Sequence, residues 1–228
     1  MLAGGTGRRM GRPKQFIELL GMPALHYTLR AFEDSPEVAR IYAVGDRQRI
    51  EALARAAGIT KYAACAAPGE ARSFSTRNGL LLCEEDPETI VLVHDGSRCL
   101  ITPDLIERVV GAAHGASEPD GVIPGIPVSD TIKVAGEGIV AETLDRTNLW
   151  AVQTPQAFRL GLLRRLHESP EEFLRAATDD ASLVERDGGR VEIVAGEKTN
   201  IKLTSPEDLV FAEAILAERE GVARGVGP

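Results

Sequence analysis

The stretch that decides the fold is the glycine-rich, basic run Met1-Leu2-Ala3-Gly4-Gly5-Thr6-Gly7-Arg8-Arg9-Met10-Gly11-Arg12-Pro13-Lys14. It holds four glycines and four basic side chains and no acidic one, whereas the whole chain of 228 residues has a net charge of −8. Glycine lets the backbone approach a phosphate closely and turn its N–H groups inward, while Arg and Lys neutralise the phosphate charge. The run therefore predicts a polyphosphate-binding loop that follows a buried strand of an α/β sheet.

Two common phosphate loops are excluded by spacing. The dinucleotide fingerprint needs a third glycine three residues after Gly7, where the chain has Met10, and no glycine of the run is followed at Walker spacing by Gly-Lys-Ser/Thr. A Gly-x-Gly turn and an Arg pair remain, followed by Pro13, which stiffens the chain ahead of Lys14. A tight turn with a solvated basic face is the alternative interpretation of this run.

The strand that should precede this loop is very short, because only Met1 and Leu2 stand before Ala3. We expect either that the gene start lies upstream or that the central strand is badly shortened. In the second case the fold should lose stability.

Composition excludes several classes of protein. No apolar run approaches 18 residues, so we expect no membrane span, and from the polar first residues we expect no signal peptide. The acidic charge argues against non-specific nucleic-acid binding. Three cysteines without paired or metal-ligand spacing predict a reducing, cytoplasmic setting; they are Cys65, Cys83 and Cys99.

Strand and helix patterns alternate along the chain. An apolar strand at 41–45 is followed by Asp46 as a helix cap, a strand at 89–93 precedes the Thr102-Pro103 helix start, and a further strand lies at 191–194. This alternation predicts an α/β fold with a Rossmann-like, mostly parallel sheet flanked by helices. Length predicts one domain over 1–220 and a flexible tail at 221–228. We also predict a strand at 200–204, a helix that begins within 178–182, and capping of that helix by Asp179 and Asp180.

One segment, about 126–149, breaks this alternation. Two β-rich runs flank the turn Gly136-Glu137-Gly138 and predict a β-hairpin. An isolated hairpin is marginal in water unless it packs against something. We therefore predict a protruding β-arm that packs against a partner subunit.

Charged side chains follow the best strand, 89–93. Asp95 and Arg98 should lie at the carboxyl edge of the sheet, where α/β proteins bind ligands, although a structural Asp95–Arg98 pair is an alternative.

Two further segments predict contacts with an anion. The turn at 68–75 opens a helix whose N-terminus can attract phosphate. Lys202 lies between Ile201 and Leu203, and an inward-facing lysine there would need an anion.

These motifs together resemble the cytidylyltransferases that act on sugar-alcohol phosphates. The resemblance rests on the loop 3–10, on Pro13-Lys14-Gln15-Phe16 and on the run Leu144-Asp145-Arg146-Thr147-Asn148-Leu149-Trp150-Ala151-Val152-Gln153-Thr154-Pro155-Gln156-Ala157-Phe158. It extends to about residue 216 and is closest to the 2-C-methyl-D-erythritol 4-phosphate cytidylyltransferase family. The chain departs from the family's His-Asp-Ala-Ala-Arg-Pro motif, because it has Gly96, Ser97 and Cys99 there.

The resemblance implies CTP and a polyol phosphate as substrates, Mg²⁺ held mainly by the CTP phosphates, and a homodimer formed through the β-arm. Arg9 and Lys14 would stabilise charge on the triphosphate, while Lys202 and Arg146 would hold the attacking phosphate. Thr131, Arg146 and Thr154 would reach the neighbouring subunit's substrate. The implied substrate-binding residues are Ala3, Gly4, Gly5, Gly7, Gly69, Glu70, Ser75, Asp95, Gly96, Arg98, Thr131, Thr154 and Thr178.

Two other functions remain open at this level. The first is the same transfer to another polyol phosphate, such as ribitol 5-phosphate, which the Leu2-Ala3-Gly4-Gly5 opening mildly favours. The second is a non-catalytic nucleotide-binding dimer, suggested by the short first strand. Release of pyrophosphate would exclude the second.

Overall fold

The computed structural model describes residues 1–5, 7 and 11–221. In this part of the chain the strands are β1 Leu2–Ala3, β2 Glu18–Leu19, β3 Met22–Pro23, β4 Ile41–Gly45, β5 Tyr62–Ala66, β6 Ile90–Val93, β7 Gly121–Pro127, β8 Lys133–Gly136, β9 Ile139–Thr143, β10 Trp150–Val152, β11 Gln156–Arg159 and β12 Val191–Ala195. The helices are α1 Ala24–Asp34, α2 Arg47–Ala56, α3 Arg72–Leu80, α4 Pro103–Ala113, α5 Leu160–His167, α6 Glu171–Arg175, α7 Ala181–Arg186 and α8 Pro206–Arg219. Single 3₁₀ turns lie at Lys14–Phe16 and Arg146–Asn148.

The central sheet is mostly parallel, as predicted. Strands β5, β4 and β1 pair in parallel, and β1 joins β6 because the Leu2 amide donates to His94 O (2.7 Å) and the Gly96 amide donates to Leu2 O (2.8 Å). The sheet continues through β11 to β7, with β12 parallel to β7 on its far edge. Only β11 and β10 run against this direction. The Rossmann-like α/β prediction is confirmed.

Helices cover both faces of the sheet. In β7, Val122 belongs to the apolar layer that contains side chains of α1, α2 and α4. Its neighbour Ile123 belongs to the layer on the opposite face, which contains side chains of α3, α5 and α7. Ala157 and Phe158 of β11 divide between the two faces in the same way. This alternation follows from the two-residue period of a strand and places apolar side chains in both layers of the core.

The predicted helix caps are present. Asp46 accepts a hydrogen bond from the Arg49 amide (3.1 Å), and the Thr102 hydroxyl accepts one from the Leu105 amide (3.1 Å). Each side chain satisfies one of the amides that a first helical turn leaves unpaired.

The first strand spans only two residues, and a cavity of about 690 Å³ lies beside it at the amino end of the sheet. Residues Ile41 and Tyr42 of β4 line one side of this cavity, and Ile90 and Leu92 of β6 line the other. The Met1 ammonium group donates to Tyr42 O (2.7 Å) where the cavity meets β1. In this chain β1 is therefore as short as the two residues ahead of Ala3 led us to expect.

Strands β8 and β9 form the predicted hairpin. They pair in antiparallel fashion around Glu137 (φ +52°) and Gly138 (φ +80°), and every residue of both strands is exposed. The hairpin therefore buries none of its side chains within its own chain. Its packing against a second subunit remains a prediction.

One prediction about secondary structure was wrong. Residues 200–204 do not form a strand, because this segment crosses the ends of other strands and is held there by single hydrogen bonds, such as the one from the Leu203 amide to Ser97 O (2.9 Å). The helix expected to begin within 178–182 does so, at Ala181. Of the predicted tail at 221–228, only Gly221 lies within the described residues. No helix in that described part is long and apolar enough to cross a membrane.

Candidate active site

The glycine-rich loop is held by a side chain that follows it in the sequence. Gln15 is buried, and its Nε2 donates to Ala3 O (2.6 Å) and Gly5 O (3.2 Å). These bonds fold the turn Lys14–Phe16 back towards the start of the loop and bring Lys14 with it. Arg9, the other predicted catalytic residue of this stretch, lies outside the described residues.

Two glycines of the loop have steric reasons to be glycine. A Cβ on Gly4 would lie 2.4 Å from the Cβ of Pro68, and a Cβ on Gly7 would lie 1.8 Å from Arg12 O. Gly7 also has a φ of +66°, which L side chains rarely adopt. The loop therefore closes on itself at Gly7 and packs against the turn that precedes α3.

That turn is organised by Ser75, as expected for a helix start. The Gly69 amide donates to Ser75 Oγ (3.0 Å), and Ser75 Oγ donates to Ala71 O (3.1 Å). Since Pro68 contacts Gly4, this turn and the glycine-rich loop form one continuous surface. Glu70 differs from the rest of the turn, because its exposed carboxylate pairs with Arg175 (2.8 Å).

An ionic cluster surrounds Asp95 at the carboxyl end of β6. Lys202 Nζ donates to Asp95 Oδ2 (2.7 Å), and Arg72 Nε lies 3.4 Å from Asp95 Oδ1. Burial alone would raise the pKa of Asp95, but Arg72 and then Lys202 outweigh it, and this pKa falls well below its ordinary value. The neighbouring Gly96 lies close to β1, with a Cβ position 3.1 Å from Leu2 O. Asp95 is therefore an anion fixed beside the loop.

Arg72 is a residue that the sequence analysis missed. Its Nη1 lies 2.5 Å from Asp180 Oδ2, and Asp180 also receives a contact from His167 Nε2 (3.0 Å). Asp180 was predicted to cap a helix, but its side chain is buried and paired with Arg72 and His167. Asp179 is the residue that caps the helix, because its Oδ1 accepts a hydrogen bond from the Ser182 amide. The signal in the sequence was a cation in the first turn of a helix, a position that the helix dipole disfavours unless an anion compensates it.

Thr154 holds the backbone of Asp95 through a hydrogen bond. Its Oγ1 accepts from the Asp95 amide (3.1 Å) and lies 3.0 Å from His94 Nδ1. Burial lowers the pKa of His94 to about 3, so this imidazole is neutral. Thr154 is itself buried in its own subunit. The expectation that it reaches the neighbouring subunit's substrate is therefore wrong.

Arg98 does not pair with Asp95, so the structural ion pair that the sequence left open is not formed. Its Nη1 donates to Asn200 O (2.8 Å) and its Nη2 to Val152 O (3.3 Å). Arg98 Nε is buried and has no hydrogen-bond partner among the described residues. The guanidinium group thus holds the segment that carries Lys202.

The remaining predicted site residues are exposed. Thr131 and Arg146 are exposed on the arm, where the Arg146 guanidinium donates to Ser129 O. Thr178 is exposed ahead of α7. The structure therefore brings together the loop, the 68–75 turn, Asp95 and Lys202, and no hydrogen bond or ion pair between described residues joins Thr131 or Arg146 to Asp95 or Lys202.

A divalent cation would fit this site only with ligands from the substrate. Among residues 1–5, 7 and 11–221 no group of three or more His, Cys, Asp and Glu side chains could hold a metal ion. Mg²⁺ commonly binds through substrate phosphates with one or two carboxylates and water. A basic glycine-rich loop is suited to bind such a phosphate–metal complex.

Comparison with known proteins agrees with this geometry. The chain is 66% identical over 220 residues to a 2-C-methyl-D-erythritol 4-phosphate cytidylyltransferase of Rubrobacter xylanophilus, with 96% of this chain and 94% of the relative covered. It is 47% identical over 226 residues to the Geobacillus kaustophilus protein of the same name, with 96% of each covered.

Solved structures agree in fold. A cytidylyltransferase of this name from Francisella tularensis superposes with a TM-score of 0.80 at 29% identity, covering 93% of this chain and 96% of that one. The Thermus thermophilus protein gives a TM-score of 0.75 at 30% identity, covering 94% and 96%. The fold and these relatives define the chain as a nucleotidyltransferase. The model of the 2-C-methyl-D-erythritol 4-phosphate cytidylyltransferase family matches residues 1–218, and the chain belongs to that family.

Proposed function

We propose that the chain transfers the cytidylyl group of CTP to 2-C-methyl-D-erythritol 4-phosphate, in the synthesis of isoprenoid precursors. A phosphate oxygen of the alcohol attacks the α-phosphorus of CTP, a new P–O–P linkage forms, and pyrophosphate leaves with the electrons of the broken bond. No protein nucleophile is required. The observation that carries the proposal is the Lys202–Asp95–Arg72 cluster beside the glycine-rich loop.

Catalysis in such a transfer is positioning and charge stabilisation. We propose that the loop amides, Lys14 and Arg9 bind the triphosphate and stabilise the charge that develops on the α-phosphoryl oxygens and on pyrophosphate. Gln15 supports this role of Lys14, because its two hydrogen bonds hold the turn against the loop. Mg²⁺ would be held mainly by triphosphate oxygens and would supply further charge neutralisation.

The nucleotide base would lie against the turn before α3. Gly69 and Ser75 present a backbone turn beside the loop, and this arrangement supports a role in reading the cytosine. Glu70 would have to release Arg175 in order to take part.

The polyol phosphate would lie on the other side of the loop, against the Asp95 cluster. Lys202 would hold the attacking phosphate, and Asp95 would accept hydrogen bonds from the polyol hydroxyls. We propose that Arg98 acts here through the segment that it holds, and that Thr178 lies at the edge of the site.

We further propose a homodimer in which the arm of one subunit reaches the site of the other. The exposure of both arm strands supports this arrangement, and Thr131 and Arg146 would be the arm's contributions. A cytoplasmic setting is supported by the three cysteines, which are unpaired thiols.

The deciding experiment is pyrophosphate release from CTP and Mg²⁺ with two acceptors in parallel, methylerythritol phosphate and ribitol 5-phosphate. We expect turnover with the first acceptor. Turnover with ribitol phosphate alone would retain the chemistry and overturn the substrate. CTP binding without pyrophosphate release from either acceptor would instead support the non-catalytic nucleotide-binding dimer.

A further inference from the structure

The ammonium group of Lys202 has two binding partners to serve, a carboxylate of the protein and a phosphate of the substrate. In this structure its Nζ donates to Asp95 Oδ2 (2.7 Å), whereas the proposed function, on which this inference rests, requires it to bind a substrate phosphate. The Lys202 side chain is 42% exposed, so its end can move, but the Asp95 side chain is 12% exposed and cannot follow. A carboxylate left in that position without a cation would draw Lys202 back.

Arg72 is placed to prevent this. Its Nε lies 3.4 Å from Asp95 Oδ1, whereas Lys202 contacts the other oxygen of the same carboxylate. The Nη2 of Arg72 is buried and has no hydrogen-bond partner among the described residues, so the guanidinium group keeps a donor that is not yet used. Arg72 can therefore satisfy Asp95 after Lys202 has left.

The guanidinium group of Arg72 is itself held in place by a buried carboxylate. Its Nη1 contacts Asp180 at 2.5 Å, and both Asp180 and its other partner His167 have side chains that are only 1% exposed. A buried anion of this kind holds the guanidinium in place, because withdrawal of Arg72 would leave Asp180 without its cation.

We propose that Arg72 is a positioning residue that keeps Asp95 ionised and in place while Lys202 exchanges that carboxylate for the phosphate of the polyol substrate, and that Asp180 and His167 fix Arg72 for this task. Only hydrogen bonds change in this exchange. Lys202 Nζ–H leaves Asp95 Oδ2 for a phosphate oxygen, and Arg72 retains Asp95 Oδ1.

A double-mutant cycle on substrate binding tests the proposal. Calorimetry would measure the affinity for methylerythritol phosphate, with inorganic phosphate as a second probe, in the unaltered protein, Arg72→Met, Asp95→Asn and the combined variant. We expect Arg72→Met to weaken binding ~10-fold when Asp95 is present and less than ~2-fold when Asp95 is replaced by Asn, because residues that act on one another are not additive. Arg72→Lys should recover part of the loss. Equal losses in both backgrounds would overturn the proposal.

Two controls distinguish the effect of Arg72 on binding from a loss of folding and from a loss of turnover. Arg72→Met leaves Asp180 without a guanidinium partner, so Arg72→Met/Asp180→Asn replaces it in the cycle if thermal melting shows that the single variant is unfolded. Binding is measured without CTP, so an unaltered protein that binds the polyol phosphate but releases no pyrophosphate would contradict the proposed function and leave the role of Arg72 intact. An unaltered protein that binds neither probe would overturn the role of Arg72.

Discussion

Gln15 Nε2 donates to Ala3 O at 2.6 Å, and through this bond the residue after Lys14 is tied to the end of the central strand. The bond is buried and joins two parts of the chain 12 residues apart. Because Gln15 also donates to Gly5 O, the short turn Lys14–Phe16 and the loop move as one unit. The position of Lys14 is therefore set by the same contacts that shape the loop.

Lys14→Ala should lower turnover ~10²-fold or more, since loss of one preorganised group that stabilises charge in the transition state has an effect of this size. Steady-state pyrophosphate release measures it. Lys198→Ala is the matched control, because Lys198 is an exposed lysine on the segment that follows β12, and it should keep the normal rate. A near-normal rate in Lys14→Ala would refute the assignment.

Gly7→Ala should weaken CTP binding at least ~10-fold, since even a small misplacement of a loop that positions substrate is costly. The added Cβ would lie 1.8 Å from Arg12 O, so the loop must open. Gly11→Ala separates this clash from backbone strain: Gly11 has nearly the same φ, +67° against +66°, but nothing lies within 4 Å of its Cβ position. Equal losses of CTP affinity in the two variants would contradict the steric explanation.

Asp180→Asn should lower the free energy of unfolding by about 3 kcal/mol, because it breaks a buried pair and leaves Arg72 with one carboxylate instead of two. Urea denaturation gives the value. Asp187→Asn removes an exposed partner of Arg165 and should change stability far less. If the two substitutions had equal effects, Asp180 would not be the anchor of Arg72.

Four β-branched apolar residues added ahead of Met1 should stabilise the fold. They would extend β1 into the cavity of about 690 Å³ between β4 and β6, where backbone pairing and apolar burial are available on both sides. Burial of such side chains is worth about 3 kcal/mol or more, which would raise Tm by about 6 °C or more in a chain of this length. Calorimetric melting is the measurement. A Gly-Ser-Gly-Ser extension of the same length should give no comparable rise, and equal melting temperatures would show that the cavity does not accept a strand.

Stability should rise between pH 6 and pH 8 through the Met1 amine. Burial lowers its pKa from the ordinary 8.0 to about 6 in the folded chain. Between these values the unfolded chain binds more protons, so the free energy of unfolding increases with pH, by about 2 to 3 kcal/mol for this group. Urea denaturation at pH 6 and pH 8 tests this, with the N-terminally acetylated chain for comparison. If acetylation left the dependence unchanged, another group would be responsible.

Local sequence predicted most of the elements, because the signals were local. The apolar run at 41–45 and the caps Asp46 and Thr102 act on neighbouring residues, and the structure places them as expected. The Gly136-Glu137-Gly138 turn indicated the hairpin for the same reason. The prediction of a strand at 200–204 was wrong because a strand needs a neighbouring strand to pair with, and the apolar pattern of a segment does not show whether one is present.

The sequence by itself determined the chemistry of the site. A basic glycine-rich loop in an acidic chain, an aspartate after a buried strand and a lysine in an apolar segment predicted an anionic substrate and its counter-charges. Gly7 was among the residues that the resemblance implied for substrate binding, and the structure adds a local reason for glycine there, a φ of +66°.

Only the tertiary structure decided which charges meet. Asp95 pairs with Arg72 and Lys202, 23 and 107 residues away, and not with Arg98 in its own loop. Asp180 faces Arg72, 108 residues away, instead of capping its own helix. Ion pairs depend on distances in space, and the strand order that brings the ends of β1 and β6 together, with the 200–204 segment laid across them, is a property of the whole sheet.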